Sequence, residues 1–265
     1  MTQNKTESLT QQLPLSEQTV LVTGGARGLG AAITEAFLRE GATVIVNYHS
    51  SADAAAAIVA EHPGKALAVH ADVRDREQVE GIFAAVAAAG LGPVTTVVNN
   101  ALVDFSFNGD ARDKAAEIPY SSFTAQFDGA VRGSLNVIQS ALDDFRAVGS
   151  GRVVNIGTNL FQYPVVPYHD YTAAKAALLS LTRTFADDLG PDAITVNMVS
   201  GGLLRTTDAS AATPEEVFDG IASGTPLREV TTPEQFADSV LFFASPWARA
   251  VTGQNLVVDG GLVKD

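Results

Sequence analysis

The sequence predicts an α/β fold: one doubly wound domain on a parallel sheet of about seven strands, with helices on both faces. Three observations predict it. Short apolar β-type runs alternate with helix-like segments along the whole chain, an order that calls for parallel strands joined by right-handed crossovers. The first of these runs leads straight through three spaced glycines into a helix-like segment. The 265 residues contain no internal repeat and no linker that would split them, and they suffice for one large core. In such sheets ligands bind at the carboxyl ends of the strands.

Each element follows from local signals. Residues 1–17 are polar, carry Pro14 near their end and read as a flexible N-terminal arm, which leaves 18–265 as the single folded domain. Residues 19–22 are the first strand, and the helix beyond the glycine turn covers 31–40, closed by Gly41. TVIVN at 43–47 is a second buried strand, and the alanine-rich run 52–61 is a helix ended by Pro63 and Gly64. Residues 66–70 form a third strand running to Ala71 and Asp72. Asp75 and Gln78 have the spacing of a capping box and open a helix to about 89. Residues 94–98 are the fourth strand, followed by an irregular stretch over 103–119. One long helix is expected over 122–146, and the turn at 149–151 leads into strand 152–156. A loop at 157–170 precedes helix 171–189 and strand 194–199. Residues 201–213 read as a mobile loop, with short helices near 214–221 and 233–244 and a last strand at 256–258.

Composition narrows the function. A net charge of −13 argues against general nucleic-acid binding, which needs a basic face, and weakly against an acidic protein partner. No apolar run approaches a membrane span, and the first twelve residues lack the apolar core of a secretory signal. Cysteine is absent, so disulfides, thiol nucleophiles and thiolate metal sites are excluded; a cytoplasmic location suits this. No cluster suggests a metal site.

The chemistry begins at VLVTGGARGLG, residues 20–30. Gly24 permits a sharp turn, Gly28 lets backbone approach a ligand, and Gly30 lets the helix pack close to its strand. The new helix aims free N–H groups and partial positive charge at that turn, where a pyrophosphate fits. Tyr171 and Lys175 lie four apart at the start of a helix and share one face. A nearby ammonium favours phenolate, so the pair can give a proton to a carbonyl oxygen or take one from an alcohol. In isolation such a pair would read as a packed tyrosine and a solvated lysine.

Five motifs in order carry a family resemblance from about Thr19 to the end of the chain: Thr23-Gly24-x-x-x-Gly28-x-Gly30, Asp72, Asn99-Asn100-Ala101, Tyr171-x-x-x-Lys175 and Val258-Asp259-Gly260-Gly261. The chain resembles the short-chain dehydrogenase/reductase family, with the flavour of its 3-oxoacyl-carrier-protein reductases. The resemblance implies a Rossmann-like dehydrogenase of the EC 1.1.1 type, with Tyr171 as general acid/base, Lys175 on the nicotinamide ribose and Thr158 in place of the family's serine. It implies cofactor contacts from Thr23, Gly24, Arg27, Gly28, Leu29 and Gly30 at the turn. Asn47, Tyr48, His49 and Ser50 would follow the second strand, with Asp72 and Val73 at the adenine. Asn99, Asn100, Ala101, Tyr171, Lys175, Gly202, Leu204 and Thr206 would lie toward the nicotinamide. NADP(H) is expected over NAD(H): residues 47–50 offer no carboxylate to bond a ribose 2′-hydroxyl, and Arg27 stands where NADP-preferring relatives carry a base.

Four departures from the family pattern stand out. Leu102 replaces a glycine, Thr158 a serine, and Ala130 the asparagine whose main-chain carbonyl is thought to hold a relay water. Gly201 replaces a proline, so a looser loop is expected over the nicotinamide. Two classes of function therefore stay open: an NADP(H)-dependent carbonyl reductase or alcohol dehydrogenase, and a weakly catalytic or non-catalytic NADP(H)-binding sensor or assembly subunit. Phe105, Phe107, Phe161, Tyr163 and Tyr168 are candidates for an apolar substrate pocket. The substrate is expected to be a small carbonyl or alcohol compound. By resemblance the assembly is a homotetramer (or homodimer) formed through the helices at 122–146 and 171–189.

Overall fold

A computed structural model describes residues 13–103, 105, 107–108, 111–207, 210–211 and 213–264. Seven strands form one sheet: β1 (Thr19–Val22), β2 (Thr43–Tyr48), β3 (Ala66–His70), β4 (Thr96–Asn99), β5 (Gly151–Thr158), β6 (Ile194–Gly201) and β7 (Asn255–Val258). Their spatial order is β3-β2-β1-β4-β5-β6-β7, and every pairing is parallel. The order reverses between β1 and β4, which opens a crevice at their carboxyl ends.

Period-2 alternation divides the strand residues between two cores. Val20, Val22, Val44 and Val46 bury on one face with Ile33 and Phe37 of α1 (Gly28–Arg39), Ile58 of α2 (Ala52–Glu61), and Phe236 and Val240 of a helix at Pro233–Ala244. Leu21, Ile45, Val97 and Val153 bury on the other, with Val79 and Ile82 of α3 (Arg76–Ala88) and with Val137 and Phe145. The last two belong to a long helix made of α4 (Tyr120–Phe127), a wide turn (Asp128–Arg132) and α5 (Gly133–Val148). α6 (His169–Leu189) lies on this second face, while α7 (Glu215–Gly224) and α8 (Pro233–Ala244) follow β6. The expected doubly wound sheet is therefore present.

Several boundaries differ from the sequence reading. Residues 13–17 of the expected arm join the fold: Leu15 packs on the first core, and the Gln18 side chain donates to the carbonyls of Leu13 and Ala244. Residues 1–12 of the expected arm lie outside the described residues. The single helix expected over 122–146 is interrupted, because Gly133 N–H skips one residue further back to Asp128 O. Ala130 lies on that widened turn. Gly201 does not open a loose loop. It is the buried last residue of β6, paired with Thr158 and Val258, and a Cβ there would come within 2.8 Å of the Phe236 ring. Asp75 does cap α3, but the Gln78 side chain returns to the Asp75 carboxylate and the Asp72 N–H rather than to the cap's own N–H.

Candidate active site

The glycine turn sits at the mouth of the crevice. Gly24 has φ of +61°, which disfavours a side chain, and a Cβ on Gly30 would sit 2.0 Å from Gly24 O. Only a glycine lets the first turn of α1 lie this close to the strand end. Arg27 precedes α1 without capping it by its side chain. The leading N–H groups of α1 thus keep the positive end of the helix free for an anion. A dinucleotide phosphate fits this donor set.

Thr23, Asn100 and Asn47 hold the turn. Thr23 Oγ donates to Val98 O and accepts from the N–H groups of Asn100 and Ala101. The Asn100 amide donates to the carbonyls of Thr23 and Gly24. Asn47 is buried; it accepts from Gly24 N–H and donates to the carbonyls of Val69 and Ala71. Both ends of its amide are used inside the fold. Asn99 likewise donates to Asn155, which donates to Thr182, in a buried chain from β4 through β5 to α6. Val73 is buried, and its carbonyl accepts from the Asn136 amide. Leu204 is buried in the first core, and Leu29 packs against it.

The other expected cofactor residues ring the crevice. Tyr48 meets His70 edge-on, and His49 stacks on His70 with ring centres 5.7 Å apart. His49 Nε2 lies 3.9 Å from Asp72 Oδ2. Asp72 is clasped by the Arg74 guanidinium, which holds its carboxyl below the usual range. Arg27 and Ser50 are exposed. Beyond β6, Thr206 is exposed, while Ser210 Oγ donates to Leu204 O and accepts from Thr207 N–H. This folded loop returns to the glycine turn, with Thr207 Cβ 3.6 Å from where a Gly28 Cβ would lie. Gly202 begins the same loop.

Thr158, Tyr171 and Lys175 converge at the end of β5. Thr158 Oγ accepts from Leu160 N–H at 3.3 Å, and its hydroxyl lies near enough to Tyr171 to pull the phenol pKa down. Lys175 Nζ donates to Ile156 O at 2.6 Å and stands 5.8 Å from the centre of the Tyr171 ring. The lowering expected for Tyr171 beside an ammonium and an oxidised nicotinamide concerns the cofactor-bound site; in the chain alone burial dominates. Burial pushes the Tyr171 phenol up to about 12 against the pull of Thr158, and burial brings the Lys175 ammonium down to about 8. The physical reason is visible: the lysine turns to a strand carbonyl, and Phe105 shields the phenol from water. For Lys175 the unfolded chain holds the extra proton between pH 8 and 10.5, so stability should rise with pH across that window. Urea unfolding of wild type and Lys175→Met should diverge there, with wild type gaining; parallel curves would show an ordinary solvated lysine.

Phe105 stacks on Tyr171 with centres 4.6 Å apart, while Phe107 and Tyr168 meet the same ring edge-on. Tyr171 is left only 6% exposed. Phe161 is half-buried and Tyr163 exposed, and among the described residues neither makes a ring contact with this cluster. Arg112 lies 4.4 Å over Phe105 and binds both oxygens of the buried Asp170 at 2.6 Å. Sequence reading missed this pair: 58 residues separate its members, and no local spacing signals them. It also missed Glu35, Glu61 and His62, whose ligand atoms lie within 4.8 Å of one another on α1 and at the end of α2. His62 there pairs with Glu35 at 2.9 Å. No helix among the described residues is long and apolar enough to cross a membrane.

A family model described as enoyl-(acyl carrier protein) reductase matches residues 24–263. An uncharacterized oxidoreductase of Methylorubrum extorquens is 34% identical over 253 residues, covering 94% of this chain and 98% of that one. A 3-oxoacyl-[acyl-carrier-protein] reductase of Staphylococcus aureus is 30% identical over 249 residues, covering 92% and 98%. A crystal structure assigned provisionally as a gluconate dehydrogenase of Agrobacterium tumefaciens superposes with a TM-score of 0.85 at 26% identity, covering 95% and 98%.

Proposed function

This chain belongs to the short-chain dehydrogenase/reductase family, and from that premise we propose an NADP(H)-dependent oxidoreductase acting on a small carbonyl or alcohol. Hydride transfer and a nicotinamide cofactor follow from the family; the remaining assignments are our reading. The observation that carries it is the meeting of Thr158, Tyr171 and Lys175 at the end of β5, beside a glycine turn able to hold a pyrophosphate. Residues 18–265 act as one dinucleotide-binding and catalytic domain, assembled as a homotetramer or homodimer in the cytoplasm.

The bound nicotinamide supplies or accepts the hydride. Gly24, Gly28, Leu29 and Gly30 offer backbone to the pyrophosphate, and Asp72 and Val73 flank the adenine. Ala101, Lys175, Gly202, Leu204 and Thr206 shape the nicotinamide end. Tyr171 Oη gives its proton to the carbonyl oxygen in reduction and takes one from the alcohol in oxidation. Thr158 Oγ hydrogen-bonds the same oxygen and fixes its position. Phe105, Phe107 and Tyr168 form an apolar wall that suits a small free substrate. A covered Tyr171 with a raised pKa is the protonated acid that carbonyl reduction needs.

NADP(H) is favoured by charge at the ribose. Arg27 is exposed and paired with no carboxylate among the described residues, and Tyr48, His49 and Ser50 bring none to the end of β2. Arg27→Ala should raise KM for NADPH roughly tenfold and leave NADH kinetics unchanged, since one lost charge-assisted contact is worth about 1.5 kcal/mol. Steady-state kinetics on a ketone and alcohol panel reads both this and the activity itself. Equal kcat/KM for NADH and NADPH in wild type would reverse the cofactor assignment. NADPH binding with no turnover across the panel would favour the sensor.

A further inference from the structure

Strands β5, β6 and β7 end level with one another. Thr158 pairs with Gly201, and Gly201 with Val258. The next residue of each strand is therefore Asn159, Gly202 and Asp259. Asn159 Nδ2 donates to Asp259 Oδ2 at 2.9 Å across 100 residues of sequence, and the two are 3% and 6% exposed. The bond bridges the outer two strand ends over the middle one. A Cβ on Gly202 would lie 3.0 Å from Asn159 Nδ2 and 3.5 Å from Asp259 Cβ, so the backbone beyond β6 runs directly against the bridge.

Asp259 is a rigid anchor. Its Oδ1 accepts from the N–H groups of Gly261 and Leu262, and its Oδ2 accepts from Val263 N–H as well as from Asn159. Among the described residues no cation pairs with it. Four donors in fixed places thus hold a buried carboxylate, the arrangement that makes burial of such a charge tolerable. The other end of the bridge adjoins the reacting hydroxyl. Asn159 opens the tight turn Asn159–Phe161, and that turn brings Leu160 N–H to Thr158 Oγ. With an acceptor site on Oγ occupied from that side, the directions left to the Thr158 hydroxyl are restricted.

We propose that Asn159 and Asp259 are a positioning pair that aims the Thr158 hydroxyl at the reacting oxygen and seats the Gly202 backbone beside it. This rests on the catalytic reading of Thr158 given above. Neither side chain touches substrate; both act through Thr158.

A double-mutant cycle tests it, with NADPH and a simple 3-oxo ester such as ethyl acetoacetate as the probe, or the best ketone of the panel. Thr158→Val is expected to lower kcat by about 10–100-fold, and Asn159→Ala by roughly tenfold with KM for NADPH within about twofold. The double variant should be no slower than Thr158→Val alone, because Asn159 has nothing left to aim. Additive losses, or an unchanged kcat in Asn159→Ala, would overturn the pair. An unchanged kcat in Thr158→Val, or no turnover by wild type, would overturn the catalytic reading and the pair with it. If Asn159→Ala loses its circular-dichroism spectrum, Asp259→Asn keeps the shape of the anchor and takes its place in the cycle, with the same expected and overturning results.

Discussion

Replacing Tyr171 with phenylalanine should cut turnover by about 10²–10⁴-fold, the usual cost of removing a positioned general acid, while NADPH binding survives. The variant loses one oxygen and no packing surface. Phe105 lies 4.6 Å above the ring and can stack on phenylalanine as it does on tyrosine. The glycine turn is built from Thr23, Asn47 and Asn100, none of which touches the phenol oxygen. What disappears is the hydroxyl that carries the proton in the proposed mechanism. Protein fluorescence on NADPH titration should therefore give a Kd close to that of wild type while kcat collapses. Wild-type turnover in this variant would remove Tyr171 from the mechanism. Lost NADPH binding would instead mean that the phenol supports the cofactor cleft.

Local patterns made the sheet legible. Short continuous apolar runs, Val20-Leu21-Val22 and those at 43–47 and 66–70, set between helix-like segments and turn residues, announce strands without help from tertiary structure. Gly24 and Gly30 were legible for the same reason, since their constraints come from immediate neighbours in a strand–turn–helix unit. The limits lie where distant segments decide. The bracing bonds of Asn47 are an example: the carbonyls of Val69 and Ala71 take its amide, and only the β2–β3 pairing brings them there. The widened turn at Ala130 is a slip in helical hydrogen bonding that composition does not encode. The burial of Tyr171 in the chain alone was not legible either, since the Phe105 ring stacked on it comes from a distant part of the sequence. Gly201 was read as a loop residue in place of a proline, whereas pairing on both sides makes it strand.

The segment that carries Phe105 also supplies the largest expected loss of stability. Arg112→Ala should cost about 3–5 kcal/mol in urea unfolding, because it strands a buried carboxylate. Asp170 is 3% exposed at its side chain, and Arg112 Nη2 reaches both of its oxygens at 2.6 Å. Without the arginine, no other cation among the described residues pairs with Asp170. The reverse change is milder: in Asp170→Asn the guanidinium, already 19% exposed, can turn to water. Replacing both partners with apolar residues, Arg112→Met with Asp170→Leu, should recover most of the loss, since a buried pair is often near break-even against packed hydrophobic groups. The effect should also reach the site. Arg112 lies over Phe105, and Phe105 excludes water from Tyr171, so freeing the arginine should rehydrate the phenol and bring its pKa down from about 12 toward 10. Acrylamide quenching of tyrosine emission, referenced to Tyr171→Phe, should then increase in the Asp170→Asn variant. Equal small losses from Arg112→Ala and Asp170→Asn, with quenching unchanged, would mean that the pair behaves as an ordinary surface contact and that Phe105 is held by the aromatic cluster alone.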